Sequence, residues 1–374
     1  MRKTLTVLMV TVLLLLAVGI VLVATASGVR GERAYGDPHY FLIRQLIWMT
    51  VAGVVGIAAS RFDYHWWRDH KYLTVMLFGA VALGLCLVFL CRPINGSHRW
   101  LSVGSLSVQP GEFAKIVTVV AMSVWLSRIG WRVRQFKMGA LYPVCGLAIF
   151  AGLLMKEPDF GSTMVVGLIG GSLMFVAGTR LIYLIPMGLA GMACVLVKVL
   201  LDTNRAGRIE AWKSDIIPHQ VKQALLAFQS GGLWGVGFNK SLQKYSYLPE
   251  AHTDFIYPIG GEEFGFLFSI FVIAAYVVIL ICGMRISMRA PDPLGRLLAF
   301  GMTFLLVFQG TWNMAVVTGC TITKGLALPF VSYGGSNLIT ALAAIGTLVN
   351  VGRHVDVCDE SMHTQVVKDA PVPL

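Results

Sequence analysis

Charge is what this chain has least of. Only 13% of its 374 residues are Asp, Glu, Lys or Arg, about half the usual share for a water-soluble domain. That excludes a protein wetted on all sides. Acid is scarcer than base, 19 residues against 30, for a net charge of +11. The surplus does not point to nucleic acid, because the basic residues are scattered through short loops and never interleave with exposed aromatics on a polar domain. The seven cysteines, at 86, 91, 145, 194, 282, 320 and 358, show neither a disulfide framework nor zinc spacing and read as small core residues. The eight histidines include no His-Glu-x-x-His, which removes the commonest membrane metalloprotease signature. No segment repeats at a fixed period and no inverted pair of broken helices is visible, which counts against a secondary transporter.

What the chain has in abundance is apolar length. Hydrophobic residues make up 56% of it, in runs near the roughly 20 residues that carry a helix across a bilayer. The runs fall at 5–23, 42–60, 72–91, 112–128, 139–155, 161–178, 181–200, 262–284, 296–319 and 328–350. The expected fold is therefore an all-α integral membrane protein of about ten transmembrane helices. Ala24-Thr25-Ala26 after the first run mimics a signal-peptidase site, but the run exceeds the roughly 7–15 residues of a cleaved signal, so a retained helix is expected. Arg61, Arg68 and Lys71 follow the second span; Arg128, Arg132, Arg134 and Lys137 follow the fourth; Arg180 follows the sixth; Arg285, Arg289 and Arg296 surround the connection after the eighth. The positive-inside rule makes that side, with both termini, cytoplasmic. The chain then divides into a membrane domain over 1–351, with a large extracytoplasmic loop at about 201–258 between helices 7 and 8, and a short polar cytoplasmic tail over 352–374, expected to be disordered. Gly167 and Gly171 form a GxxxG that reads as close helix packing.

Several outward-facing clusters stand against this apolar background. Tyr247-Leu-Pro-Glu-Ala-His-Thr-Asp-Phe-Ile256 places Glu250, His252 and Asp254 at the edge of a membrane span. Carboxylates there are either caps, with Thr253 or Asp254 starting a helix and Glu262 and Glu263 complementing its dipole, or groups kept for a task. Arg92 to Trp100, with Arg99 at its end, leads to Gln109-Pro-Gly-Glu112-Phe-Ala-Lys115. Lys115 sits inside a span on the wrong side for the positive-inside rule, at a cost of about 2.5–3.5 kcal/mol near mid-membrane unless it faces a partner. The partner is either Glu112 three residues earlier or an anion held at the helix N-terminus. Asp159 in Lys156-Glu-Pro-Asp-Phe-Gly-Ser-Thr163 reads as a helix cap or a site residue. The long loop carries Arg205 and Arg208, a glycine-rich run Gln229–Phe238, and Lys240 and Lys244. No strand precedes that run, so a nucleotide loop fails on context and a flexible, partly re-entrant lid is expected. Lys324 to Ser336 reads as irregular backbone lining a cavity. The sum is an extracytoplasmic cavity of carboxylates and cations suited to an amphiphile with phosphate.

Four of these stretches, "NGSHRWLSVGSLSVQPGEFAK", "EPDFGST", "YLPEAHTDFIYPIGGEEFG" and "KGLALPFVSYGGSNL", resemble the SEDS family (shape, elongation, division and sporulation) of membrane peptidoglycan glycosyltransferases. The loop stretch "QSGGLWGVGFNKSLQKYSYLPEAHTDF" is more similar to the division and sporulation branch than to the elongation branch. Departures from the family pattern lie at Gly111, Phe160, Ser162, Tyr257–Gly260 and Asn337. The resemblance implies polymerisation of lipid II at the outer face of the cytoplasmic membrane, at the division site. The implied partners are a class B penicillin-binding protein of the division type and other divisome membrane proteins.

For an α-linked undecaprenyl pyrophosphate donor and a β-1,4 product, a single inverting displacement needs a base on the acceptor hydroxyl and cations on the leaving group. The resemblance places Asp254 as that base. Arg99 and Lys115 are expected at the pyrophosphate, with Glu112, Gln109 and Asp159 orienting them. Trp100, Glu250, His252, Arg205 and Arg208 complete the expected substrate contacts. No dedicated metal-ligand set is visible, although a divalent cation is compatible with the cavity. The rival readings are a lipid II flippase, an elongation-type polymerase and a noncatalytic divisome scaffold.

Overall fold

The computed structural model describes residues 1–91, 99–103, 106–201, 218–245, 248, 251–321 and 325–369. Its helices are α1 (Arg2–Tyr35), α2 (Tyr40–Arg61), the short α3 (Trp66–Asp69), α4 (Lys71–Leu87), α5 (Pro110–Ile129), α6 (Tyr142–Lys156), α7 (Phe160–Ala177), α8 (Leu181–Leu201), α9 (His219–Gly231), α10 (Ile256–Arg289), α11 (Pro293–Val317) and α12 (Gly335–Asp369). Among the described residues ten helices are long and apolar enough to cross a membrane. They match the ten spans read from the sequence, with three differences. A two-stranded hairpin, β1 (Leu101–Val103) with β2 (Leu106–Val108), precedes α5 and pairs Leu101 with Val108. The last helix continues to Asp369 where a disordered tail was expected. The eighth span begins at Ile256, earlier than its hydropathy suggests, because Tyr257, Pro258, Ile259 and Gly260 are already helical and buried.

Burial sorts the helices into an interior and a rim. About two thirds of α11 and of the apolar part of α12 is inside the protein, whereas none of the peripheral α8 is. The central α11 packs on α5, α7, α10 and α12, and α12 packs along α2. Small residues make these approaches close. A β-carbon on Gly301 would strike Val119 of α5, and one on Gly346 would meet the backbone of Gly56 in α2. The first helix is part of this core: Leu8, Val12, Leu15, Leu22 and Val23 are buried, and Gly19 lies against the backbone of Phe330 and Val331.

Because successive spans alternate in direction, the connections fall at two ends. One end gathers the hairpin, the α6–α7 turn, the segment leading into α10 and the segment before α12. The other gathers the α2–α4 connection, residues 130–136, the α10–α11 turn and the C-terminal part of α12. This sorting places the site clusters at the first end and the arginine-rich loops at the second.

Candidate active site

The polypeptide between α11 and α12 is not helical over residues 325–334, yet Leu326, Leu328, Phe330 and Val331 are buried. Backbone of this kind survives in an apolar interior only if its polar groups find partners. Side chains from the surrounding helices supply them. Asn313 Nδ2 of α11 donates to the Leu326 carbonyl at 2.6 Å, and Gln309 Nε2, one turn away, donates to the Ala327 carbonyl at 3.1 Å. Tyr276 Oη of α10 donates to the Pro329 carbonyl at 2.7 Å. The Ser332 hydroxyl accepts from the Leu328 N–H at 2.8 Å, and the Tyr333 N–H donates to the His252 carbonyl at 3.0 Å. The expected cavity-lining irregular segment is thus an ordered strap at the bundle's core.

Asp254 is tied to the same strap. Its carbonyl accepts from Asn313 Nδ2 at 2.8 Å, and its half-buried carboxylate lies against Gly325 so closely that a β-carbon there would run into Oδ2. The N-cap position of α10 is Phe255, so Asp254 precedes the cap rather than occupying it.

Lys115 is 1% exposed and ion-paired with Glu112 at 2.6 Å, the internal i, i+3 partner. It also donates to Gln309 Oε1 at 3.0 Å, and Gln309 Nε2 donates in turn to Asn337 Oδ1 at 2.9 Å. One polar network therefore runs from the Glu112–Lys115 pair through Gln309 to the strap, and from the strap through Asn313 to Asp254. Glu112 Oε2 and Asn313 Oδ1 are buried and accept no hydrogen bond from the described residues, which leaves acceptor capacity facing the network. Gln309 and Asn313 were not singled out from the sequence. Their signal was two carboxamides spaced i, i+4 inside an otherwise apolar span, where polar side chains face the bundle interior.

The other expected residues are placed differently. Arg99 reaches backbone, donating to the Pro158 carbonyl at 2.6 Å and the Glu157 carbonyl at 3.4 Å, and so braces the α6–α7 turn. Trp100 is half-buried beside it. Asp159 caps α7, accepting from the Ser162 N–H at 3.3 Å and the Ser162 hydroxyl at 2.6 Å. Gln109 uses its backbone N–H, donating to Ser336 Oγ at 2.9 Å and joining α5 to the start of α12. His252 is buried in an aromatic box, its ring 4.8 Å from Phe41 and 5.6 Å from Tyr333. Arg205, Arg208 and Glu250 lie outside the described residues.

Glu157 is a residue the sequence reading passed over. Burial, reinforced by the Asp159 carboxylate and opposed by the Arg99 guanidinium, pushes its carboxyl up to about 8. Among the described residues nothing hydrogen-bonds its Oε1.

The glycine-rich run is not the flexible lid expected. Gly231 and Gly235 pack so tightly on α10 that a β-carbon on either would strike the carbonyl of Gly261 or Glu263. The Val236 and Gly237 N–H groups donate to the Glu262 and Glu263 carbonyls at 2.9 and 3.1 Å. Those bonds need a break in α10, supplied by Gly265 at φ 77°, ψ −168°, a conformation open to glycine. The buried Glu262 carboxylate accepts from Ser241 Oγ, from the Leu242 N–H at 3.1 Å and from the Gln243 N–H at 3.4 Å; Glu263 pairs with Lys244 at 3.4 Å. These acids anchor the loop rather than complement a helix dipole.

A lipid-facing groove of about 610 Å³ lies between α4 and α6, lined by Ala82, Leu83, Cys86, Ile149, Leu153 and Lys156. Lys156 ends α6 beside the Glu157–Asp159 turn. A larger cavity, about 780 Å³, is lined by Trp131, Arg134, Phe136, Arg180 and Tyr183 at the opposite end, away from Asp254.

Residues 5–356 match the family of cell cycle proteins that comprises FtsW, RodA and SpoVE. The chain belongs to that family. It is 38% identical over 355 residues to the probable peptidoglycan glycosyltransferase FtsW of Trichlorobacter lovleyi, covering 92% of each chain. It is 36% identical over 356 residues to stage V sporulation protein E of Bacillus subtilis, covering 93% of this chain and 96% of that protein. Its fold is similar to a chain in a structure described as the structural coordination of polymerization and crosslinking by a peptidoglycan synthase complex, with TM-score 0.74, 25% identity, and 93% and 97% of the two chains covered. It is also similar to the rod shape determining protein RodA of Thermus thermophilus, with TM-score 0.68, 26% identity, and 92% and 95% covered. A family member of this kind is a multi-pass membrane protein of about ten helices.

Proposed function

We propose that this chain is a peptidoglycan glycosyltransferase of the division and sporulation branch, which polymerises lipid II at the end of the bundle that holds Asp254. The observation that carries the reading is the network joining Asp254 to the Lys115–Glu112 pair through Asn313, Gln309 and the 325–334 strap. It holds a carboxylate and a buried cation in one rigid frame, as a displacement at an anomeric carbon requires. Asp254 removes the proton from the acceptor hydroxyl as the bond to the leaving pyrophosphate breaks. Lys115, buried and neutralised by Glu112, positions Gln309 and the strap. The apolar groove beside Lys156 suits the isoprenoid chain, and the polar α6–α7 turn suits the headgroup.

The site faces outward, with both termini in the cytoplasm and the protein at the division site, in company with a crosslinking class B penicillin-binding protein. The test is polymerisation of labelled lipid II by the purified full chain, with and without that partner. Glycan polymer resolved on a gel supports the reading. Movement of lipid II across vesicles without any polymer, in the presence of the partner, would replace it with a flippase.

A further inference from the structure

At the end of the bundle opposite Asp254, two histidines and two aspartates from three separate elements converge. Asp63 and His65 lie in the connection after α2, Asp292 in the α10–α11 turn and His354 on α12. One ligand atom each from Asp63, His65 and His354 lies within 4.8 Å of the others. His65 Nδ1 is 2.7 Å and His354 Nε2 is 3.5 Å from the same oxygen, Asp63 Oδ1. The far nitrogen of each ring is turned to an outer partner. His354 Nδ1 lies 3.0 Å from the Asn350 carbonyl, and His65 Nε2 lies 3.6 Å from Asp292 Oδ1.

The tautomers follow from these partners. A carbonyl only accepts, so His354 carries a hydrogen on Nδ1, and its Nε2 faces a carboxylate oxygen. A cation held between that nitrogen and that oxygen would serve both. An imidazole with its far nitrogen held by a carbonyl, as in His354, is the arrangement in which metal-ligating histidines are held. Nitrogen and carboxylate donors suit a borderline divalent ion such as Zn²⁺. Bond lengths of about 2.0–2.2 Å bring ligand atoms to roughly 3.3 Å of one another. Side-chain rotation adjusts the present separations, from 2.7 Å up to 4.8 Å, to that value, and there is room for it: the Asp63, His65 and His354 side chains are 57%, 35% and 31% exposed.

We propose that Asp63, His65 and His354 bind a divalent transition-metal ion of the zinc class, with Asp292 orienting His65. The surroundings make it a staple. Asp292 accepts from the Tyr64 hydroxyl while capping α11 through the Leu294 and Gly295 N–H groups at 3.0 and 3.1 Å. Asn350 of α12 accepts from the Tyr64 N–H at 3.1 Å and donates to the Ser60 carbonyl at 3.0 Å. An ion here would tie the connection after α2 to α12 at His354 and, through Asp292, to the α10–α11 turn.

The experiment uses the full chain purified without a polyhistidine tag. Zn²⁺ is titrated against a chromogenic chelator, Co²⁺ uptake is followed by its d–d absorption, and thermal unfolding is recorded with and without Zn²⁺. The expected result is one ion per chain, a higher unfolding midpoint with Zn²⁺, and affinity lowered more than about tenfold by His354→Gln or His65→Gln, since even outer partners are worth about 10–100-fold. No stoichiometric uptake by the wild-type chain would overturn the site, whatever the variants do. Unchanged uptake by a variant carrying both His65→Gln and His354→Gln would assign binding to other residues and overturn it as well. A midpoint that responds to acid but not to Zn²⁺ would make the bridge a proton.

Discussion

At the scale of single residues, Asp254 carries the sharpest expectation. General-base assistance is typically worth about 10²–10⁴-fold, so Asp254→Asn should leave no visible polymer at protein levels where the wild type gives full product. The amide preserves the shape that Gly325 accommodates and the backbone bond from Asn313, so the unfolding midpoint should stay near wild type. Turnover within about tenfold of wild type would be too small a loss for a base. The Glu112–Lys115 pair allows a different test. Exchanging the two, Glu112→Lys with Lys115→Glu, retains a salt bridge but turns a carboxylate toward Gln309 Oε1, which today accepts from Lys115 at 3.0 Å. The exchange should therefore lose polymerisation even where the protein folds. Normal activity would show the pair to be an ion pair only. Glu157 predicts a pH dependence. With its folded pKa raised to about 8 from an ordinary 4.5, the folded state holds a proton that the unfolded chain releases. Its contribution is then complete below about 4.5 and is lost as pH rises to about 8. Between pH 6 and 9 the wild-type unfolding midpoint should fall further than that of Glu157→Gln. Parallel curves would contradict the raised pKa.

At the scale of elements, the loop into α10 shows where sequence reading stops. The ten apolar runs announce their helices by length alone, because nothing else puts twenty apolar residues together. Irregular backbone at 325–334 was legible from its glycines and hydroxyls. What was not legible is the partner of each polar group. Glu262 and Glu263 look like first-turn acids, yet α10 begins at Ile256, so they fall beyond that turn and face the loop. The glycines of 229–238 look like a flexible lid, whereas the space of the side chains that Gly231 and Gly235 lack is filled by α10 backbone, a contact between residues about thirty apart that no local pattern encodes. The site has the same history: Asp254, Lys115 and Glu112 stand out as charges in an apolar setting, while Gln309 and Asn313, which join them, are uncharged. Glu262→Gln tests the loop assignment. The amide replaces an acceptor by a donor facing the Ser241 hydroxyl and the Leu242 and Gln243 N–H groups, a loss of about 1–3 kcal/mol. Faster proteolysis or hydrogen exchange over 229–245, with the membrane helices unchanged, is the expected outcome; unchanged protection would mean that Glu262 does not hold the loop.

At the scale of the whole molecule, the two ends differ in charge as well as in architecture. The Asp254 end carries the hairpin, the strap and the anchored loop. The other carries Arg61, Arg68, Arg128, Arg132, Arg134, Arg180, Arg285, Arg289 and Arg353, in the short connections and the helix turns that flank them, where basic residues govern insertion. By the positive-inside rule these arginines favour the orientation proposed above, with their end in the cytoplasm and Asp254 outside, where a lipid-linked sugar displayed on the outer leaflet would meet it. Single cysteines test this in a chain freed of its seven native ones. Leu242 in the anchored loop is 67% exposed and Trp131 in the connection after α5 is 75% exposed, so either position reports without disturbing the core. In intact spheroplasts an impermeant thiol reagent should label Leu242→Cys at once and Trp131→Cys only after the membrane is opened. The reverse pattern would turn the protein over and place Asp254 on the cytoplasmic side. Because the helices alternate as one bundle, that single result would move the acceptor-hydroxyl chemistry with it and leave the outward polymerase without a site.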